Sequence, residues 1–199
     1  MSSPIFIFDL GKVLVDFDYS IAARKIAARS ARSPKDLHAF LGTSPLLLEY
    51  ESGRLTREAF FQAISSHLAY AGDLAEFGGY FADIFAEIPP MIQLHTELRQ
   101  RGFKTYIFSN TNDLAIEHII RNFPFFQNFD GYIYSYEVGA MKPQPKIYEA
   151  MEAMSGRRGL DLIYLDDRPE NIAAGKERGW QAILHETPEK TRAAVTSLL

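Results

Sequence analysis

Residues 5–8 read Ile-Phe-Ile-Phe, an unbroken run of β-forming apolar residues that stops at Asp9. A strand with one wet face alternates apolar and polar side chains. A run without a polar member is buried on both faces, as the central strands of parallel sheets are. Asp9 then stands at the C-terminal end of a buried strand, followed by Leu10 and Gly11. That end is where open α/β sheets bind their ligands.

The second half of the chain repeats this unit. Met91–Gln100 has helical spacing and Gly102 stops it. Strands are predicted over Lys104–Phe108, Gly131–Tyr136, Leu162–Leu165 and Gln181–Leu184, with helices over Leu114–Asn122, Lys146–Met154 and Asn171–Arg178. Strands alternating with helices imply an α/β fold: a doubly wound, Rossmann-like parallel sheet with right-handed crossovers. From Tyr19 to Pro90 the pattern differs, with helical spacing and little strand signal. Helices are expected over Tyr19–Ala31, Pro34–Leu41, Thr56–Tyr70 and Asp73–Ile84, with Thr56 as an N-cap and Pro89-Pro90 closing the region. The expected division is an α/β core of residues 1–15 and 91–199 with a helical unit, 16–90, inserted after the first strand.

With 199 residues, 47% hydrophobic and 23% charged, the chain is long and apolar enough for one buried core. A net charge of −4 without a basic patch gives nucleic-acid binding no electrostatic footing. There is no cysteine, which excludes disulfides, thiolate catalysis and Cys-ligated zinc or iron–sulfur sites. Met1–Leu10 lacks a basic n-region, and no apolar run approaches the roughly 18 residues of a membrane span. No membrane segment is expected, and a cytoplasmic location is.

Four polar groups fall at or just beyond predicted strand ends: Asp9, Ser109-Asn110, Lys142 and Asp166-Asp167. If the strands are parallel neighbours, all four converge. Three crowded carboxylates repel one another and lose solvation. A hard divalent cation relieves both, and oxygen ligands favour magnesium. A lysine with short hydroxyl and amide donors beside it suits a phosphate dianion, and a carboxylate can act as nucleophile at phosphorus. Taken singly, each residue also has an ordinary reading: Asp9 as a turn former, Ser109-Asn110 as a loop or cap, Lys142 as a solvated loop lysine. Adjacent Asp166-Asp167 at the end of an apolar strand is the costliest to leave without a partner. Glu137, His67, His95, His118 and His185 show no partner spacing and read as surface or packing residues. "RNFPFFQNF" reads as core or as part of a dimer contact; the chain is expected to be a monomer or homodimer.

Across nearly its whole length the chain resembles the haloacid dehalogenase superfamily, mostly magnesium-dependent phosphatases. "IFDLGKVLVDFD", "YIFSNTN", "GAMKPQPKIYEA" and "IYLDDRPENI" are similar to its four motifs in order and spacing. The K-P-x-P-x-I-Y and D-D-R-P-E-N stretches resemble the branch with a small helical cap that holds bacterial sugar-phosphate phosphatases, α-glucose-1-phosphate phosphatases among them. The resemblance implies Asp9 as nucleophile, Ser109 and Asn110 as phosphoryl contacts, and Lys142 as the charge-neutralising group. It implies magnesium on Asp9, the Gly11 carbonyl, Asp167 and, in the first or outer shell, Asp166, with Asn171 supporting that loop. The inserted helices would form the cap, and "LEYESGRLTREAF" would reach over the site, with Gly53 as its turn and Tyr50, Glu51 and Arg54 meeting substrate. Phe17 and Tyr19 would line the hinge. The expected partner is a small soluble phosphoester.

Most phosphatases of the superfamily carry a second aspartate two residues after the nucleophile, as acid and base; here that residue is Gly11. Three outcomes stay open: Asp16 or Asp18 substitutes, the leaving group needs little protonation, or turnover is slow or absent. Two rival functions follow. One is a metal-independent 2-haloacid dehalogenase, which would not need adjacent aspartates. The other is a non-catalytic phosphate-binding module, which Gly11 favours.

Overall fold

The computed structural model describes residues 3–199. In chain order the elements are β1 (Ile5–Phe8), β2 (Val15–Phe17), α1 (Tyr19–Ala27), α2 (Pro34–Thr43), α3 (Pro45–Glu51), α4 (Arg57–Leu68) and α5 (Leu74–Ala82). There follow β3 (Phe85–Glu87), α6 (Pro89–Gln100), β4 (Lys104–Ser109), α7 (Asp113–Asn122), β5 (Gly131–Tyr134), α8 (Ser135–Val138) and α9 (Pro145–Ser155). The chain continues through β6 (Leu162–Asp166), α10 (Pro169–Glu177), β7 (Gln181–Leu184) and α11 (Pro188–Ser197). None of these helices is long and apolar enough to cross a membrane.

The five-stranded sheet runs β5-β4-β1-β6-β7, parallel throughout. The IFIF run is its centre, and its side chains divide between two cores as a period of two requires. Phe6 and Phe8 pack with Ile107 and Leu165 against Leu94 and Leu98 of α6, Ile119 of α7 and Val195 of α11. Ile5 and Ile7 pack with Phe108 and Tyr164 against Ile147, Tyr148 and Met151 of α9 and Ile172 of α10. The chain winds outward from β1 in both directions, the topology that opens a crevice at the strands' C-terminal ends. Three phenylalanines of "RNFPFFQNF", Phe125, Phe126 and Phe129, are buried in the first of these cores.

A third apolar cluster belongs to the helices between β2 and β3. It joins Ile26 of α1, Leu37 and Leu41 of α2, Tyr50 of α3, Phe60 and Ile64 of α4 and Phe77 and Phe81 of α5. Thr56 caps α4 as its sequence predicts, accepting from Ala59 N at 3.2 Å. Two features differ from the sequence reading. The segment Pro45–Glu51, whose residues 48–51 open the stretch expected to reach over the site, is helical, started by the Ser44 cap with proline in its first turn. And β2 and β3 pair antiparallel, Val15 with Glu87 through Phe17 with Phe85, so the chain enters and leaves the bundle side by side. Ile84, expected as a helix end, instead leads into β3 on this return path.

Candidate active site

Parallel register sets the site. Phe8 pairs with Ile107 on one side and Leu165 on the other. Asp9, Ser109 and Asp166 therefore leave three neighbouring strands at the same edge, with strands about 4.8 Å apart. Lys142, from the loop between α8 and α9, reaches into the middle. Its side chain is 1% exposed, and its three N–H bonds meet three acceptors: Phe108 O at 2.8 Å, Asp166 Oδ2 at 2.7 Å and Asp9 Oδ1 at 3.0 Å. Its loop is held by Asn110, which donates to Lys142 O at 3.0 Å and accepts from Lys142 N at 2.8 Å. The Asn110 side chain thus orients the lysine, while the residue also lines the cavity.

Asp166 is fully buried and saturated. Beyond Lys142 it accepts from Tyr164 Oη, from Arg168 N at 2.8 Å and from Asn171 Nδ2 at 3.0 and 3.2 Å. Although burial alone would raise its pKa, Lys142 and these hydrogen bonds hold it below the usual carboxylate value. Asp9 is the opposite case. Its Oδ1 accepts from Leu10 N at 2.7 Å and from Lys142. Burial, opposed by Lys142 but reinforced by the charges of Asp166 and Asp167, pushes it up to about 8. Asp167, half-buried, is also raised, by desolvation and by Asp166. Carboxylate oxygens of Asp9, Asp166 and Asp167 lie within 4.8 Å of one another. Asn171 leaves its Oδ1 buried without a donor among the described residues. Three clustered carboxylates with one lysine among them, and an oxygen to spare, fit a hard divalent cation.

These residues open into a cavity of about 550 Å³. Asp9, Gly11, Ser109, Lys142 and Asp167 line its floor, and Asn110 and Asn171 stand beside them. Its upper wall comes from the bundle and hinge: Phe17, Tyr19, Leu47, Leu48, Glu51 and Phe81. Of the three bundle residues expected at substrate, only Glu51 lines the cavity. Leu47, Leu48 and Glu51 share one face of α3, at spacings of three and four residues. Tyr50 points the other way, stacked on Phe60 at 4.4 Å with its hydroxyl on Asp113. Arg54 is exposed beyond the helix end and does not border the cavity. A helical reading of residues 45–51 would have grouped Glu51 with the two leucines and set Tyr50 apart.

Asp16 and Asp18 are placed away from the chemistry. Asp16 is exposed and paired with Lys12. Asp18 caps α1, accepting from Ser20 N at 2.8 Å. Neither lines the cavity. At Gly11 an added Cβ would meet Phe17 Cε1 at 3.0 Å, so a side chain there would press on the half-buried ring and require it to shift. We expect Gly11→Asp to lower stability by about 1–3 kcal/mol through this overpacking, read as a shift in the denaturation midpoint. Truncating Phe17 to alanine in the same protein should recover part of it.

A family model for haloacid dehalogenase-like hydrolases matches residues 4–179. The chain is 24% identical over 202 residues to a D-ribitol-5-phosphate phosphatase of Bacteroides thetaiotaomicron, covering 97% of each. It is 30% identical to the bifunctional epoxide hydrolase 2 of Rattus norvegicus over 99 residues, 48% of this chain and 18% of that one. Among solved structures, a haloacid dehalogenase family enzyme of B. thetaiotaomicron, crystallised with magnesium and inorganic phosphate, superposes with TM-score 0.81 at 20% identity, over 92% of this chain and 94% of that one. The L-2-haloacid dehalogenase of Xanthobacter autotrophicus superposes with TM-score 0.66 at 18% identity, over 98% and 83%. With its family model spanning most of the chain and its sheet carrying the four motifs to one edge, this protein belongs to the haloacid dehalogenase-like hydrolases.

Proposed function

We propose that the protein is a magnesium-dependent phosphatase that hydrolyses a small phosphomonoester, a sugar or polyol phosphate, through an aspartyl-phosphate on Asp9. The observation that carries this reading is the clustering of Asp9, Asp166 and Asp167 within 4.8 Å around the buried ammonium of Lys142. The similarity to a D-ribitol-5-phosphate phosphatase supports it, as does the likeness to an enzyme crystallised with magnesium and phosphate.

Asp9 and Asp167, with the Gly11 carbonyl and Asp166 behind them, would hold the ion, which when bound supplies charge neutralisation for the phosphoryl group. The chain's own residues do the rest. Lys142 and Leu10 N hold Asp9 Oδ1, leaving Oδ2 without a protein donor among the described residues and free to meet phosphorus. Ser109, at the end of β4 and lining the cavity, would donate to a phosphoryl oxygen. Lys142 offsets the charge that Asp9 and a phosphate dianion bring together. The bundle of residues 16–90 would act as the cap, closing the cavity with apolar side chains that exclude water from the phosphoenzyme. Adjacent Asp166 and Asp167 support phosphatase chemistry over dehalogenation, which needs no cation.

The test is a phosphate-release screen with magnesium over sugar, polyol and simple alkyl phosphates. EDTA should reduce release to background, and excess magnesium should restore it. Halide release from a 2-haloacid that persists in EDTA, with no phosphate release from any ester, would assign the dehalogenase reading instead.

A further inference from the structure

Phosphoryl transfer from an alkyl ester needs a proton for the leaving oxygen, and the second half-reaction needs a base for water. The motif that usually supplies this group ends here in Gly11, and Phe17 fills the space beside it. The carboxyl side chains that line the cavity among the described residues are Asp9, Asp167 and Glu51. Asp9 and Asp167 belong to the carboxylate cluster. Glu51 borders the same cavity from the bundle, at the C-terminal end of α3, with no lysine, arginine or histidine ion-paired to it among the described residues.

Its position is held from both sides. Ser135 Oγ, at the start of α8 just beyond β5, donates to the Glu51 carbonyl at 2.5 Å. Tyr50, the preceding residue, bonds Asp113 at the start of α7. Gly53, two residues on, turns with φ of +72° so close to α8 that a Cβ would lie 2.2 Å from Tyr136 O. Any side chain at that turn would push α3 away. These contacts lock the one bundle carboxyl that faces the cavity into register with the strand ends. Burial lifts Glu51 to about 7, offset in part by the nearby Asn112 side chain. A group near that value gives and takes a proton with little loss at neutral pH.

We propose that Glu51 is the general acid and base of this hydrolase, doing from the bundle what the first motif cannot do from Gly11. The inference rests on the phosphatase reading of the site. In the first step Asp9 Oδ2 bonds to phosphorus and the phosphorus–ester oxygen bond breaks. The ester oxygen keeps the electron pair, takes the Glu51 proton and leaves as the alcohol. In the second, water bonds to phosphorus and gives one proton to the Glu51 carboxylate. The bond from phosphorus to Asp9 breaks, freeing the Asp9 carboxylate and hydrogen phosphate.

The experiment compares wild type with Glu51→Gln, which keeps size and polarity but transfers no proton, on two magnesium-supplemented substrates. One is the best alkyl phosphate from the screen. The other is 2,4-dinitrophenyl phosphate, whose leaving group needs no acid. On the alkyl ester kcat should fall ~10²–10⁴-fold. On the dinitrophenyl ester the variant should release one rapid equivalent of phenolate per protein, then turn over slowly, because the phosphoenzyme waits for a base. Glu51→Asp should recover part of the rate. Calorimetric binding of inorganic phosphate with magnesium, retained in Glu51→Gln, shows that the pocket is formed. A variant with unchanged kcat and only a raised KM would overturn the proposal and make Glu51 a substrate contact. Equal slowing on both esters without a burst would overturn it too. If wild type itself releases no phosphate, the phosphatase reading falls; if wild type turns over and Glu51→Gln matches it, this proposal alone falls.

Discussion

Asp9→Asn should abolish phosphate release, by on the order of 10⁴–10⁶-fold, in a protein that folds as well as the parent. Asparagine keeps the oxygen that accepts from Leu10 N at 2.7 Å, but its amide cannot form an acyl phosphate. Asp166 does not replace it, because both its oxygens are occupied by hydrogen bonds. The same change alters how stability depends on pH in the absence of metal. Desolvation raises Asp9 from 3.8 to about 8 in the folded state. Between those values the folded protein binds more protons than the unfolded chain, so its stability falls as pH rises through that window. Asparagine carries no such proton. Metal-free Asp9→Asn should therefore lose less stability than wild type from about pH 4 to about pH 8. Urea midpoints across that range measure it, and parallel curves would contradict the burial argument.

Lys142→Ala should lower stability by about 3–5 kcal/mol, the cost of leaving buried carboxylates without their counter-charge, and turnover should be lost with it. The ammonium joins Asp9 and Asp166 while also satisfying Phe108 O. These acceptors surround a compact donor. A planar guanidinium presents its N–H groups as a fork and cannot reach all three from one point. Lys142→Arg should therefore also lose activity despite keeping the charge. Added magnesium should stabilise Lys142→Ala by a larger increment than wild type, since a cation would supply some of the missing compensation. Thermal melts with and without the ion check this, and an equal increment in both would detach the lysine from the cation site.

The floor of the site was legible because it sits where strands end. A strand buried on both faces is a short run of apolar residues, and Asp9, Ser109 and Asp166 interrupt or terminate such runs. Lys142 was legible only through its flanking Gly/Pro motif; nothing in a loop lysine announces that Asn110 and Asp166 will bury it. The upper wall was less readable. Val15–Phe17 and Phe85–Glu87 are three residues each, too short for a period of two to show, and they exist as strands because they pair with each other. Pro45–Glu51 follows directly on another helix and shares its cap residue Ser44, and at seven residues it is too short for a helical period to stand out. Reading residues 48–60 as a reaching turn put Tyr50 and Arg54 at the substrate; the helical rotation of about 100° per residue instead sends Tyr50 into the bundle's core and leaves Glu51 on the cavity side.

The pairing of Phe17 with Phe85 makes the whole segment between them separable in principle. Its two ends lie opposite each other as the ends of a hairpin do, so a tight turn could join them without moving any strand of the sheet. Evolution could lengthen, shrink or exchange everything beyond that junction while leaving the floor chemistry untouched. In this fold the reacting groups and the choice of molecule admitted to them can then change independently, tied through Tyr50, Glu51 and Gly53 beside the site and through Arg57, which pairs with Asp113 and Glu117 of α7.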